Sequence, residues 1–96
     1  MIVEFDRGLQ DVVPRYIRGR QEDLGYLQLA LSRKDFPAIE KISKRVAATA
    51  ESVGLKVLGD ISNELIAHAG EHRQEECEAS VAKMRDFLSV VRPKFV

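Results

Sequence analysis

The chain has 96 residues, which is enough for one hydrophobic core and too few for a second. Fifteen Lys and Arg balance fifteen Asp and Glu, so no positive excess favours nucleic acid or an anionic membrane. A single cysteine, Cys77, excludes an internal disulfide and is typical of a reducing compartment. No apolar run approaches the roughly 20 residues that span a bilayer, and the start MIVEFDRGLQ lacks signal-peptide features. We therefore expect one cytoplasmic domain, residues 1–96, with no membrane insertion and no nucleic-acid partner.

Residues 1–12 are predicted to be a short lead-in, in which GLQDVV forms a turn or two of helix. The first amphipathic helix follows, because its apolar residues recur at intervals of three, four and seven: Val13, Ile17, Leu24, Leu27 and Leu31. Pro14 suits the first turn of this helix, where its missing N–H costs nothing.

The second helix is predicted to begin at an Asp35 N-cap and to end at Gly54. Its apolar stripe consists of Phe36, Ile39, Ile42, Val46 and Val53. Lys44 and Arg45 lie just ahead of three alanines in this helix, and Lys44 falls on the side opposite the apolar stripe.

Two further stripes predict the third and fourth helices. The third contains Leu58, Ile61 and Leu65, and the fourth contains Cys77, Val81, Met84, Leu88 and Val91. Gly59 inside the third helix is expected to weaken it by about 1 kcal/mol relative to alanine. Because the connections are short, the sequence predicts an all-α fold, an antiparallel up-down four-helix bundle with a short N-terminal helical lead-in.

Signatures of catalysis are few. The chain has no Gly-rich phosphate loop, no Cys-x-x-Cys pair and no His-Glu-x-x-His motif. His68 and His72 are four residues apart, but Gly70 between them favours fraying, so we expect no metal site and no cofactor. Cys77 lies on an apolar stripe and is expected to be a small buried hydrophobe.

The carboxylates of Glu22 and Asp23 are neighbours that point in different directions on a helix, as are those of Glu75 and Glu76. We expect both pairs to lie on solvated faces.

The stretch DFPAIEKISKRVAATAESVG, taken with the helix before it, resembles the histidine-phosphotransfer (HPt) domain family of bacterial two-component phosphorelays. Those domains are four-helix bundles, and one exposed helix carries a phospho-accepting histidine. The family pattern has an Asp-Phe helix start, buried apolar positions, the motif His-x-x-Lys-Gly and a small-residue stretch closing at glycine. Asp35, Phe36, Val46 and Gly54 match this frame.

The family's phospho-accepting motif is broken at three positions. Counted from Phe36 and back from Gly54, the histidine slot falls on Lys44, the lysine slot on Ala47 and the glycine slot on Ala48. An exposed lysine is protonated at neutral pH and has no lone pair with which to attack an aspartyl phosphate. The resemblance therefore implies a domain with no catalytic residue, which is not an enzyme.

The function expected from these residues is a non-phosphorylatable HPt-like module that binds a response-regulator receiver domain or a histidine kinase. The expected partner-binding surface comprises Lys41, Lys44, Arg45, Ala47, Ala48 and Ser52. Two alternatives remain open, namely active phosphotransfer through His68 and a helical scaffold or dimerisation domain unrelated to phosphorelay. The sequence leaves the oligomeric state open.

Overall fold

A computed structural model describes all residues from 1 to 96, and most of them are helical. The helices are α1 (Val12–Ser32), α2 (Phe36–Ala50), α3 (Lys56–Gly70) and α4 (Gln74–Val90). The Asp35 carboxylate caps α2 by accepting a hydrogen bond from the Ala38 N–H at 3.2 Å, which confirms the predicted N-cap. The four predicted helices are therefore present and are compatible with a helical bundle.

The core lies between the four helices and follows the predicted stripes. Every apolar residue predicted for α3 and α4 is buried, and in α1 and α2 the predicted residues are buried or half-buried. Each helix packs on two others, α1 on α2 and α4, and α3 on the same two. No helix is both long enough and apolar enough to cross a membrane.

The two chain ends form strands, so the fold is mostly helical and not all-α as expected. Strand β1 (Ile2–Phe5) pairs in parallel with β2 (Arg92–Phe95), and Phe5 lies opposite Phe95. Their rings are 6.0 Å apart, and Phe5 is buried. The only helical part of the lead-in before α1 is a short 3₁₀ turn, Arg7–Leu9. Each strand has four residues and needs the other for its backbone hydrogen bonds, which local periodicity cannot show.

All three turns between the helices have the same backbone conformation and hydrogen-bond pattern. Each contains a residue with positive φ, Lys34 at 52°, Gly54 at 93° and His72 at 56°. The residue after each of these donates its N–H to the carbonyl five residues back, at 2.9, 2.8 and 3.0 Å. This is the Schellman pattern that closes a helix C-terminus, and it sets the short connections between the helices.

Candidate docking surface on helix α2

The outward side of α2 carries most of the surface expected from the sequence. Lys41, Lys44 and Ala48 are exposed along one side of the helix, at spacings of three and four. Ala47 is half-buried. Ser52 is exposed just beyond the helix end, where its hydroxyl donates to the Thr49 carbonyl at 2.9 Å. The result is a solvent-facing strip with small side chains beside basic ones.

Lys44 is exposed and makes one ion pair. Its Nζ lies 3.0 Å from Oε1 of Glu40, one helical turn earlier, and the Lys44 side chain is 62% exposed. An exposed pair at this spacing contributes only about 0.3–0.5 kcal/mol. Lys44 can therefore exchange Glu40 for an acidic partner group at small cost.

Arg45 is held by a buried carboxylate of α1. Arg45 Nη2 lies 2.6 Å from Oδ1 of Asp23, and Arg20 Nε lies 2.9 Å from Oδ2 of the same group. Asp23 is 4% exposed, so the expectation that it lies on a solvated face is wrong. The burial follows from its position four residues before Leu27, which places it on the inner edge of α1.

Aromatic and hydroxyl groups extend this contact along the helices. The Arg20 guanidinium lies over the Tyr16 ring, 4.5 Å from its centroid, and the Tyr16 hydroxyl lies 2.7 Å from Oγ1 of Thr49. We call Tyr16, Arg20, Asp23, Arg45 and Thr49 the Asp23 cluster. It fixes α2 against α1, and so fixes the direction in which the α2 surface faces.

The Asp23 cluster is only partly visible in the sequence. One signal was available, because Asp23 precedes Leu27 by four residues and Ala30 by seven, the spacing of a buried helix edge. The partners of Asp23 had no comparable signal, since Arg45 is on another helix.

A groove runs between α1 and α2 beside the exposed strip. It has a volume of about 400 Å³ and is lined by apolar residues, Tyr26, Leu29, Ala30, Ala38 and Ile42, and by polar ones, Arg33, Asp35, Lys41 and Arg45. Tyr26 and Leu29 are 59% and 47% exposed, which is high for large apolar side chains. The candidate surface thus combines an apolar groove with a basic rim.

The two histidines do not share a helix face. Helix α3 ends at Gly70, and His72 lies in the following turn, where its ring stacks on Phe36 at 4.9 Å with an interplanar angle of 6°. His68 lies in the last turn of α3 and is half-buried. No group of three or more His, Cys, Asp or Glu side chains is placed to hold a metal ion.

Cys77 is buried in the core, as predicted. Burial raises the pKa of its thiol above the ordinary value of 9.0, and the negative charges of Glu76 and Glu78 raise it further. The thiol therefore stays protonated at neutral pH, which is the opposite of what a nucleophilic cysteine needs.

Compared with known proteins, the chain matches no family model, no curated protein and no solved structure.

Proposed function

We propose that the chain is an HPt-like signalling domain that lacks a phospho-acceptor and binds a receiver domain or a histidine kinase through α2. The observation that carries this proposal is the position of Lys44. It is exposed on α2 beside Ala48, in the slot where the resembling family has its histidine. A protonated lysine at that position supports binding without phosphoryl transfer, because its ammonium group has no lone pair with which to attack an aspartyl phosphate.

Charge and shape support the same kind of partner. Receiver domains present an acidic pocket at the place where the family's histidine would dock. Lys44 and Lys41 offer positive charge to such a pocket, and Ala48 leaves room for close approach. Since these partners act in the bacterial cytoplasm, the proposal includes that location.

The proposal also includes the antiparallel up-down order of the helices. Two contacts support it for the first pair, Tyr16 with Thr49 and Asp23 with Arg45. Residue numbers fall along α2 as they rise along α1, as they do when neighbouring helices run in opposite directions.

The test is a calorimetric titration of the whole chain with receiver and kinase domains from the same genome. Lys44→Glu places negative charge against the partner's acidic pocket and is expected to weaken binding by at least about tenfold. Lys56→Glu is the matched control, because Lys56 is also an exposed helical lysine in an i,i+4 pair, 3.3 Å from Asp60. It is expected to bind like the unaltered chain.

Two results would count against the proposal. One is a chain that binds none of these domains, and the other is equal loss of affinity in Lys44→Glu and Lys56→Glu.

Incubation with a phosphorylated donor tests the alternative that the chain is an active phosphotransfer protein. An acid-labile label that disappears in His68→Ala would support phosphotransfer through His68 instead.

A further inference from the structure

The charges of this neutral chain are divided between its two helix pairs. Residues 12–50, which hold α1 and α2, contain eight Lys and Arg and four Asp and Glu, a net charge of +4. Residues 56–90, which hold α3 and α4, contain four Lys and Arg and seven Asp and Glu, a net charge of −3. The net charge of the whole chain is zero, but positive charge is concentrated in α1 and α2 and negative charge in α3 and α4.

A second groove lies between α3 and α4, on the acidic side. Its volume is about 510 Å³, and its apolar lining consists of Met1, Val57, Ile61, Phe87 and Val90. Its charged lining residues are Asp60, Glu64, Asp86 and Lys83. Three carboxylate side chains and one lysine ammonium group give this lining a net side-chain charge of −2, and the Lys83 Nζ lies 3.1 Å from Oε2 of Glu64.

The two grooves lie on opposite sides of the molecule. Because α1 and α3 each pack on both α2 and α4, the α1/α2 and α3/α4 grooves are opposite edges of the four-helix arrangement. A surface that binds one groove therefore leaves the other open.

Each groove has features that the other complements. At the basic groove, Arg33 and Lys41 make no ion pair within the chain, and Tyr26 and Leu29 are exposed. At the acidic groove the carboxylates of Asp60 and Asp86 engage only in exposed pairs, with Lys56 and with Arg85. Such pairs contribute little and can be exchanged for an intermolecular partner.

The acidic groove also has exposed apolar side chains that an intermolecular partner could contact. Val57 and Val90 beside it are 44% and 47% exposed.

We propose that copies of this chain associate head to tail, the basic α1/α2 groove of one copy against the acidic α3/α4 groove of the next. A second copy is the occupant favoured by the structure because this chain itself supplies the matching charge and apolar surface. Zero net charge also removes the long-range repulsion that would keep copies apart. This contact is heterologous, so it leaves a free groove at each end and permits further addition.

The first measurement is sedimentation velocity of the whole chain over a range of concentrations. We expect the sedimentation coefficient to rise with concentration at about 20 mM salt and to stay at the monomer value at about 500 mM salt. A chain that remains monomeric at low salt would overturn the proposal.

The decisive measurement uses one variant for each groove. Arg33→Glu alters the basic groove, Asp86→Lys alters the acidic groove, and each variant alone is expected to associate at least about tenfold more weakly. Mixing the two should restore a one-to-one complex, because the intact acidic groove of the first variant meets the intact basic groove of the second. Arg18→Glu and Glu75→Lys, exposed positions outside both grooves, are the controls and are expected to associate like the unaltered chain.

A mixture that stays monomeric, or controls as weak as the groove variants, would overturn the head-to-tail contact. A symmetric dimer uses the same surface on both copies, so it would not be restored by mixing. Arg33 lies outside the surface proposed for signalling partners, so Arg33→Glu leaves that surface in place.

Discussion

The carboxylate of Asp23 lies between two guanidinium groups, those of Arg20 and Arg45, and is almost fully buried. Removing it leaves both arginines without their partner at the joint between α1 and α2. We therefore expect Asp23→Ala to lower the free energy of unfolding by about 2–3 kcal/mol, as measured by urea denaturation.

The neighbouring carboxylate gives a matched control for this change. Glu22 is exposed and makes no ion pair within the chain, so Glu22→Ala should alter the free energy of unfolding by less than about 0.5 kcal/mol. Equal effects of the two substitutions would contradict the role given to Asp23.

Cys77 gives the chain a pH dependence at the alkaline end. The pKa of its buried thiol is raised in the folded chain, so the unfolded chain releases this proton first as the pH rises past about 9. The contribution of this group to stability is intact below that pH and is lost above it, at a rate of up to about 1.4 kcal/mol per pH unit.

The measurement for Cys77 is denaturant unfolding at several pH values, compared with Cys77→Ala. We expect the variant to lose stability less steeply above pH about 9, because its unfolded state has no thiol to ionise. Identical slopes in the two proteins would show that the thiol titrates alike in the folded and unfolded chains.

Single residues could be predicted from the sequence where their environment is local. The Asp35 cap depends on N–H groups three residues away, and the burial of Cys77 follows from the stripe of its own helix. Asp23 could not be predicted in full, because its cost of burial is offset by Arg45, which is 22 residues away.

Among the elements, Gly59 in the first turn of α3 packs against the C-terminal end of α2. A Cβ added there would lie 3.8 Å from the Ala50 Cβ, an ordinary van der Waals contact. Gly59→Ala should therefore gain helix propensity without a clash and raise the free energy of unfolding by up to about 1 kcal/mol.

Gly54→Ala is the opposing control for Gly59→Ala. Gly54 has a φ of 93°, and its added Cβ would lie 3.3 Å from Cε1 of Phe5. We expect this variant to lose about 1–2 kcal/mol in the same denaturation experiment. Destabilisation of both variants to a similar degree would contradict the packing described for Gly59.

The elements differ in how far local sequence could predict them. Four one-sided apolar stripes were enough to predict the four helices and the side of α2 that faces solvent. The strands β1 and β2 could not be predicted, because each is four residues long and forms only when the chain ends meet. The α1/α2 groove could not be predicted for a similar reason, since Tyr26 and Leu29 come from α1 while its rim includes Lys41 of α2.

For the whole molecule, the proposed signalling role predicts that phosphotransfer can be introduced by three substitutions. The triple variant Lys44→His, Ala47→Lys, Ala48→Gly introduces the motif of the resembling family at an exposed position of α2. We expect it to take up an acid-labile phosphoryl label from a phosphorylated receiver domain. The double variant Ala47→Lys, Ala48→Gly should take up none, because it still lacks the imidazole.

The two proposed contacts of the molecule share part of one surface. Lys41 and Arg45 line the basic groove and also belong to the proposed partner surface. Head-to-tail association would therefore compete with partner binding, and high salt, which weakens exposed ion pairs, should weaken both contacts.

Binding of a signalling partner to α2 is tested by an NMR titration of the ¹⁵N-labelled chain with receiver and kinase domains from the same genome. We expect amide shift changes centred on Lys41, Lys44, Ala48 and Ser52. Amides on the far side of the molecule, around Asn63 and Glu75, should not change. Absence of shift changes with every such domain, or changes confined to α3 and α4, would contradict the claim.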